Sequence, residues 1–300
     1  MPATKISGEI PFQSPVQPTE LTLSSEIQFD CHPGVSCFNA CCKNIDITLT
    51  PYDILRLKKR VGLTSQEFVA RFTTPFEMDH HGMPGLKLLT KPGTLECVFL
   101  QESGCSVYED RPAACRYYAL GSMGMRKKDA SAVEDIYFLV KEAHCRGHEE
   151  PKTLTVAQYR QEQGVEQYDE MNREWRDIII KKRSSGPTVG TPSERSFQLF
   201  DMCSYDLDSF RDFIESPGFQ NLFHVEPGHL QQLGTDDEAL LRFAMAFLKQ
   251  VLFGGSRIPM KPEGRQQRIV ERRALYEERR RKAVEDYRSA QEAQWKVGEG

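Results

Sequence analysis

No stretch of this chain approaches the ~20 consecutive apolar residues of a membrane-spanning helix. The opening residues, MPATKISGEIPFQSPVQP, are polar and proline-rich and lack the apolar core of a secretory signal. A soluble, cytoplasmic protein with no membrane partner is therefore expected. There is no GxGxxG, no P-loop and no Ser/His/Asp pattern. A resident dinucleotide, a bound nucleoside triphosphate and a serine-type nucleophile are thus not indicated. An oxidoreductase built on this chain would draw electrons from an outside donor. The CxxC knuckles of zinc ribbons are missing too, as are the usual ferredoxin runs. Strong net charge is absent as well, at −4. Residues 1–260 carry 28 basic and 35 acidic side chains and residues 261–300 carry 11 and 8, an acidic body with a basic tail. Nucleic-acid binding by that tail is not expected, because its interleaved charges read as a solvated helix supported by i,i+4 pairs.

What the chain does have is cysteine. Cys31, Cys37, Cys41 and Cys42 fall inside FDCHPGVSCFNACCKN; Cys97, Cys105 and Cys115 follow in CVFLQESGCSVYEDRPAACRYY, and Cys145 comes later. Three hundred residues can bury a sizeable core without disulfide staples, and the cysteine count, nine, is odd. In a reducing compartment, clustered cysteines point to metal ligation or redox chemistry rather than structural disulfides. A thiolate is a soft anionic ligand that suits zinc and iron–sulfur clusters and not magnesium or calcium. Cys31, Cys37, Cys41, Cys42, Cys97, Cys105, Cys115 and Cys145 are the candidate metal ligands. Neighbouring side chains rarely point the same way, so Cys41 and Cys42 could serve two centres, or one could bind while the other packs. Cys203, alone in an apolar helix, reads as core.

Arg111 and Arg116 flank Cys115 and are candidate cofactor-binding residues, since a fixed cation there would offset the anionic charge of a cluster. The structural alternative is that Arg111 opens a turn and pairs with Asp110 or Glu109. His32, His144 and His148 are candidate nitrogen ligands, and Tyr108 and Tyr117 candidate covering rings. His80 and His81 read as a solvated turn.

Periodicity and caps predict an α+β fold, mostly helical: an irregular Cys-rich metal domain with a small antiparallel sheet, followed by a helical region. The expected organisation is a disordered arm over 1–25, a cysteine-cluster domain over 26–150 and a helix over 151–183. A linker over 184–193, a helical unit over 194–260 and a charged helix over 261–300 complete it. Thr50 with Pro51 and Asp53 predicts a capped helix start, and Thr64 with Glu67 a second. NIDITL and DIYFLV read as strands, HHGMPGLKLLTKPG as a hairpin, and Thr235 as the cap of a long apolar helix.

The cysteines, the following LTPYDILRLKKRVGLT and the segment GCSVYEDRPAACRYYALG together resemble the YkgJ-type cysteine-cluster family, over roughly residues 28–148. That family is named for a CxxCxxCC-like motif and is regarded as zinc- or iron-chelating. Cys31-x5-Cys37-x3-Cys41 is wider than its shortest pattern. The resemblance implies an iron–sulfur cluster or zinc held by the cysteines, with redox or electron-transfer chemistry on an unknown redox or protein partner, as in a Fe–S oxidoreductase. A non-catalytic zinc-binding structural or interaction module is the alternative. Flagellin lysine methylases carry a similar cysteine domain, which makes methyl transfer a more distant alternative. The order of the motifs implies that the second cysteine segment folds back onto the first.

Overall fold

The computed structural model describes residues 15–79, 82–126, 133–184 and 193–297. Residues 1–14, His80–His81 and most of the expected linker, 185–192, lie outside the described residues. The fold is α+β and mostly helical, with small antiparallel sheets. The chain divides into two compact units, Met1–Asp208 and Ser209–Gly300.

The first unit opens with β1 (Val16–Leu21), within the stretch expected to be a disordered arm, and β2 (Glu26–Gln28). β1 is ordered because it pairs with a strand far along the chain, a partner that local composition cannot reveal. The cysteine loop passes through a 3-10 turn at Ala40–Cys42 into the short β3 (Thr48–Leu49). Helix α1 (Pro51–Val61) starts where expected: Thr50 Oγ1 accepts from Asp53 N–H (3.2 Å), and Asp53 Oδ2 accepts from Thr50 N–H (2.8 Å). The same reciprocal cap joins Thr64 and Glu67 at α2 (Ser65–Phe72). β4 (Thr73–Glu77) and β5 (Pro84–Leu88) form an antiparallel pair that β3 extends.

The second cysteine segment carries the two-residue strands β6 (Leu100–Gln101) and β7 (Gly104–Cys105), then the short helix α3 (Ala113–Arg116). β8 (Leu120–Arg126) and β9 (Val133–Val140) pair antiparallel, and β9 is central in the sheet β1-β9-β8. A helix was expected over 151–183. Instead Thr153–Thr155 forms β10, paired with β2, and the helix is split into α4 (Val156–Gln163) and α5 (Val165–Ser184). The break falls at Gly164, whose left-handed backbone (φ 62°) ends α4 and costs glycine nothing. Ile27, Phe29, Leu120, Tyr137, Leu154 and Tyr159 close a core between these strands and α4, and Cys145 packs on its edge. Helix α6 (Glu194–Tyr205) ends the unit's regular structure, with Cys203 fully buried in it.

Helix α7 (Leu207–Glu215) begins at the division between the units. The second unit continues with α8 (Pro217–Leu222), α9 (Pro227–Thr235), α10 (Asp237–Phe253) and the long charged α11 (Pro262–Val297). The cap of α10 is Asp236 rather than Thr235, which closes α9. Asp236 Oδ1 accepts from both Glu238 and Ala239 N–H (3.0 Å each), and its negative charge suits the helix N-terminus. Phe210, Phe213, Phe219, Phe223, Phe243 and Phe247 interlock as this unit's core.

Candidate metal centre

Cys31 follows β2 and is exposed, while Cys37, Cys41 and Cys42 lie half-buried on the loop that leads to β3. Asn39 takes the left-handed conformation (φ 66°), tolerable for asparagine, and turns the chain into the 3-10 step that carries Cys41 and Cys42. Their sulfurs lie 3.9 Å apart, each able to donate to the other. That contact lowers the Cys42 thiol and raises the Cys41 thiol.

The distant segment folds back as the motif order implied. Cys97 N–H donates to Cys42 O (2.7 Å), and the β6–β7 ladder sets Leu100 opposite Cys105. Phe99 stacks on Phe72 at 5.0 Å between ring centres and pins this turn to α2. Burial raises the Cys97 thiol to about 11, opposed by hydrogen bonding from the Phe99 and Leu100 backbone. Cys105 is likewise raised by burial and opposed by Val107 N–H, with the Arg111 charge helping. Cys115, on α3, is raised by burial and by the neighbouring Cys42, Cys97 and Cys105. Asp53, fully buried and pushed up to about 6 by that burial, anchors this helix: its Oδ1 accepts from Ala113 N–H (2.8 Å) while its other oxygen caps α1.

Cys145 arrives from the opposite side. Asp30 N–H donates to Gly147 O (3.0 Å), and Arg146 N–H donates to Cys37 Sγ (3.1 Å). Gly147 is needed there, because a Cβ would come within 2.5 Å of Asp30 O and 2.7 Å of the Phe29 ring. Burial raises the Cys145 thiol, and Gly147 and His148 N–H oppose it while Cys37 adds to it. Cys31 is raised to about 11 by the partial burial of its sulfur, and then by Cys37 and Cys145. The structure thus gathers all eight candidate cysteines in one region of the first unit. Cys203 differs: burial is what raises its thiol.

The other candidates are held elsewhere. Arg116 gives its donors to protein carbonyls, Nε to Arg111 O (3.0 Å), Nη1 to Gln163 O (2.7 Å) and Nη2 to Glu109 O (2.6 Å), with its guanidinium over the Tyr168 ring. Arg111 donates to Tyr108 O (2.8 Å) and Gln163 Oε1 (2.7 Å). Asp110 pairs with Arg56 of α1 (2.8 Å) instead of Arg111. His32 accepts from Gly34 N–H (3.1 Å), His144 bonds the Tyr118 hydroxyl (2.9 Å), and His148 faces Val140 O (2.9 Å). These contacts make the histidines and Arg116 braces of the loops that carry the sulfurs. Sequence reasoning missed Asp53 as such a brace, because its only signal was that of a helix cap.

Among the described residues, no three His, Cys, Asp or Glu side chains converge as they stand on a point that could hold one ion. The donor chemistry nevertheless fits a thiophilic metal: eight thiols share a region, and Arg146 N–H donates to the Cys37 sulfur, where thiolate charge would develop. No helix among the described residues is long and apolar enough to cross a membrane. Residues 30–146 match the family model CxxCxxCC, described as “Putative zinc- or iron-chelating domain”. Neither the search of curated proteins nor that of solved structures found a match.

Proposed function

We propose, from the premise that residues 30–146 form a zinc- or iron-chelating domain, that the protein holds iron as an iron–sulfur cluster. The thiolates of Cys31, Cys37, Cys41, Cys42, Cys97, Cys105, Cys115 and Cys145 supply the ligands, and the centre passes electrons to or from a separate partner in the cytoplasm. The observation that carries this reading is the gathering of eight thiols in one region, with Arg146 N–H donating to Cys37 Sγ (3.1 Å). Such donors stabilise thiolate charge and tune the potential of a sulfur-ligated centre. A cluster supplies one-electron chemistry when bound. The chain's own part is to fix the sulfurs on braced turns, to shield Cys97 and Cys115 from water, and to place the Arg111 cation near Cys105.

One observation favours zinc as a second reading. The 3.9 Å between the Cys41 and Cys42 sulfurs is close to the edge of a tetrahedron of thiolates, about 3.8 Å for a Zn–S bond of about 2.3 Å. Anaerobic purification with iron, sulfide and zinc analysis and electron paramagnetic resonance separates the two. Coloured protein with stoichiometric iron and sulfide is expected. Colourless protein with stoichiometric zinc overturns the iron reading, and folded, metal-free protein with reactive thiols overturns both.

A further inference from the structure

We propose that the second unit carries a binding site for a small organic anion, a carboxylate with an apolar body, in the cleft between α9 and α10. The cleft encloses about 530 Å³ and lies wholly within Ser209–Gly300. Small-molecule sites commonly measure about 300–1,000 Å³. All the cysteines belong to the first unit, so this site does not depend on the metal-binding reading.

Three segments build its walls. Helix α10 supplies Ala239, Arg242, Phe243 and Ala246, at the i, i+3, i+4, i+7 spacing that puts side chains on one face. From α9, the His229 ring meets Phe243 edge-on at 5.6 Å between ring centres. The third wall is the return loop after α10, with Arg257, Ile258 and Pro259. Gly254 and Gly255, at φ 84° and 111°, reverse the chain there. Buried Gln250 then clamps Ile258, donating to its carbonyl (2.9 Å) and accepting from its N–H (2.7 Å). Pro259 O accepts from His224 N–H (2.8 Å), which ties the loop to the turn before α9. Arg257 is therefore held at the cleft by bonds its neighbours make, and the site is formed in the protein without ligand.

The lining divides by polarity. Phe243 and Ile258 are buried and form an apolar floor with the two alanines. Arg242 and Arg257 are exposed and stand at the rim. Among the described residues of the lining, Glu226 brings the carboxylate, and its Oε1 meets His224 Nε2 at 2.8 Å. Two guanidinium groups against one carboxylate leave the cleft positive. A guanidinium carries five N–H donors and matches a carboxylate through a two-bond fork, so a bond within the protein still leaves donors for a ligand. An inorganic anion would leave the floor wet, and an uncharged hydrocarbon would leave the arginines unused. The occupant that suits both parts has a carboxylate head and an apolar body.

The test is isothermal titration calorimetry of the full chain with naphthalene-2-carboxylate and with its neutral isostere 2-naphthamide, circular dichroism confirming that each variant is folded. Naphthalene-2-carboxylate is expected to bind one-to-one with a dissociation constant of about 1 mM or tighter. The amide should bind at least about tenfold more weakly, and the carboxylate should lose as much with Arg242→Gln and with Arg257→Gln. Arg273→Gln, which removes a cation from α11, leaves binding as it was. Equal binding of the two probes overturns the proposal, as does carboxylate binding that survives both arginine substitutions. No saturable heat from wild type with millimolar naphthalene-2-carboxylate overturns it as well.

Discussion

The thiol region of the first unit and the helical core of the second are held together by different means. In the second unit, Phe247 has four phenylalanine neighbours, Phe210, Phe213, Phe219 and Phe223, at 5.6–5.8 Å between ring centres. Each buried ring of this kind contributes roughly 1.5–3 kcal/mol, so the unit has an apolar core of its own. Around the cysteines, regular structure is sparse: β3, β6 and β7 are two residues each, and the chain turns through 3-10 steps at Ala40–Cys42 and Tyr108–Asp110. Few large apolar groups are buried between the sulfurs, chiefly Val35, Phe99 and Val107. A region with little apolar burial and many oriented donors relies on cross-links, and a thiolate-bound metal is the cross-link its chemistry suits. Cysteine follows the same division: Cys203 packs as a small apolar residue, and the other eight lie on the loops and short elements of the first unit's thiol region.

The largest effect expected is from metal removal. Chelation under anaerobic, reducing conditions destabilises the thiol region by several kcal/mol, out of the about 10 kcal/mol that structural thiolate sites supply. Hydrogen exchange then rises over residues 30–49 and 97–118 and stays unchanged over α10. Equal loosening of both regions would erase the distinction drawn between them. Phe247→Ala is the converse experiment. It should cost about 3–5 kcal/mol in denaturant unfolding of the second unit and leave metal content unaltered.

Acid distinguishes the regions more gently. Burial pushes the Asp208 carboxyl up, but Lys58, donating to both oxygens (2.8 and 2.9 Å), and Ser65 N–H (2.6 Å) outweigh it and hold the group down at about 2. A folded value below the unfolded one means that the contribution is complete above about pH 4 and is lost as pH falls through about 2. With 31 % of the carboxylate side chain exposed, the amount is about 1–2 kcal/mol. The difference in unfolding free energy between wild type and Asp208→Asn, followed from pH 7 to pH 2, should shrink by that amount. A flat difference refutes the assignment. Smallest is Thr64→Ala, which removes the α2 cap and should cost about 1 kcal/mol without changing metal content.

Local chemistry was legible in the sequence wherever neighbours in the chain were enough. The Thr50–Asp53 and Thr64–Glu67 caps, the charged α11 and the core role of Cys203 all follow from spacing alone. Reading failed where a distant partner decided. Thr153–Thr155 has no strong strand signal and becomes β10 because β2 lies beside it. Val16–Leu21 becomes a strand because β9 offers an edge. Arg111 and Arg116 flank Cys115 in sequence, and both guanidinium groups bond Gln163, on a helix some fifty residues later, a partner that their neighbours in the chain do not reveal. Asp53 showed its cap and hid its second bond, since nothing near it in sequence marks Ala113 as a donor.

Sequence alone therefore settled which atoms are available for chemistry here. Eight thiols in two ordered segments carry a soft, anionic donor set whatever the path of the chain between them, because ligand preference belongs to the sulfur. Only tertiary structure decided how those thiols are grouped. Cys31 and Cys145 are more than a hundred residues apart in sequence, and a hydrogen bond with a glycine's missing Cβ brings their turns together. Cys42 and Cys97 are more than fifty residues apart, and a backbone hydrogen bond of 2.7 Å joins them. Spacing along a chain does not determine position in space, and it is position that brings ligands together.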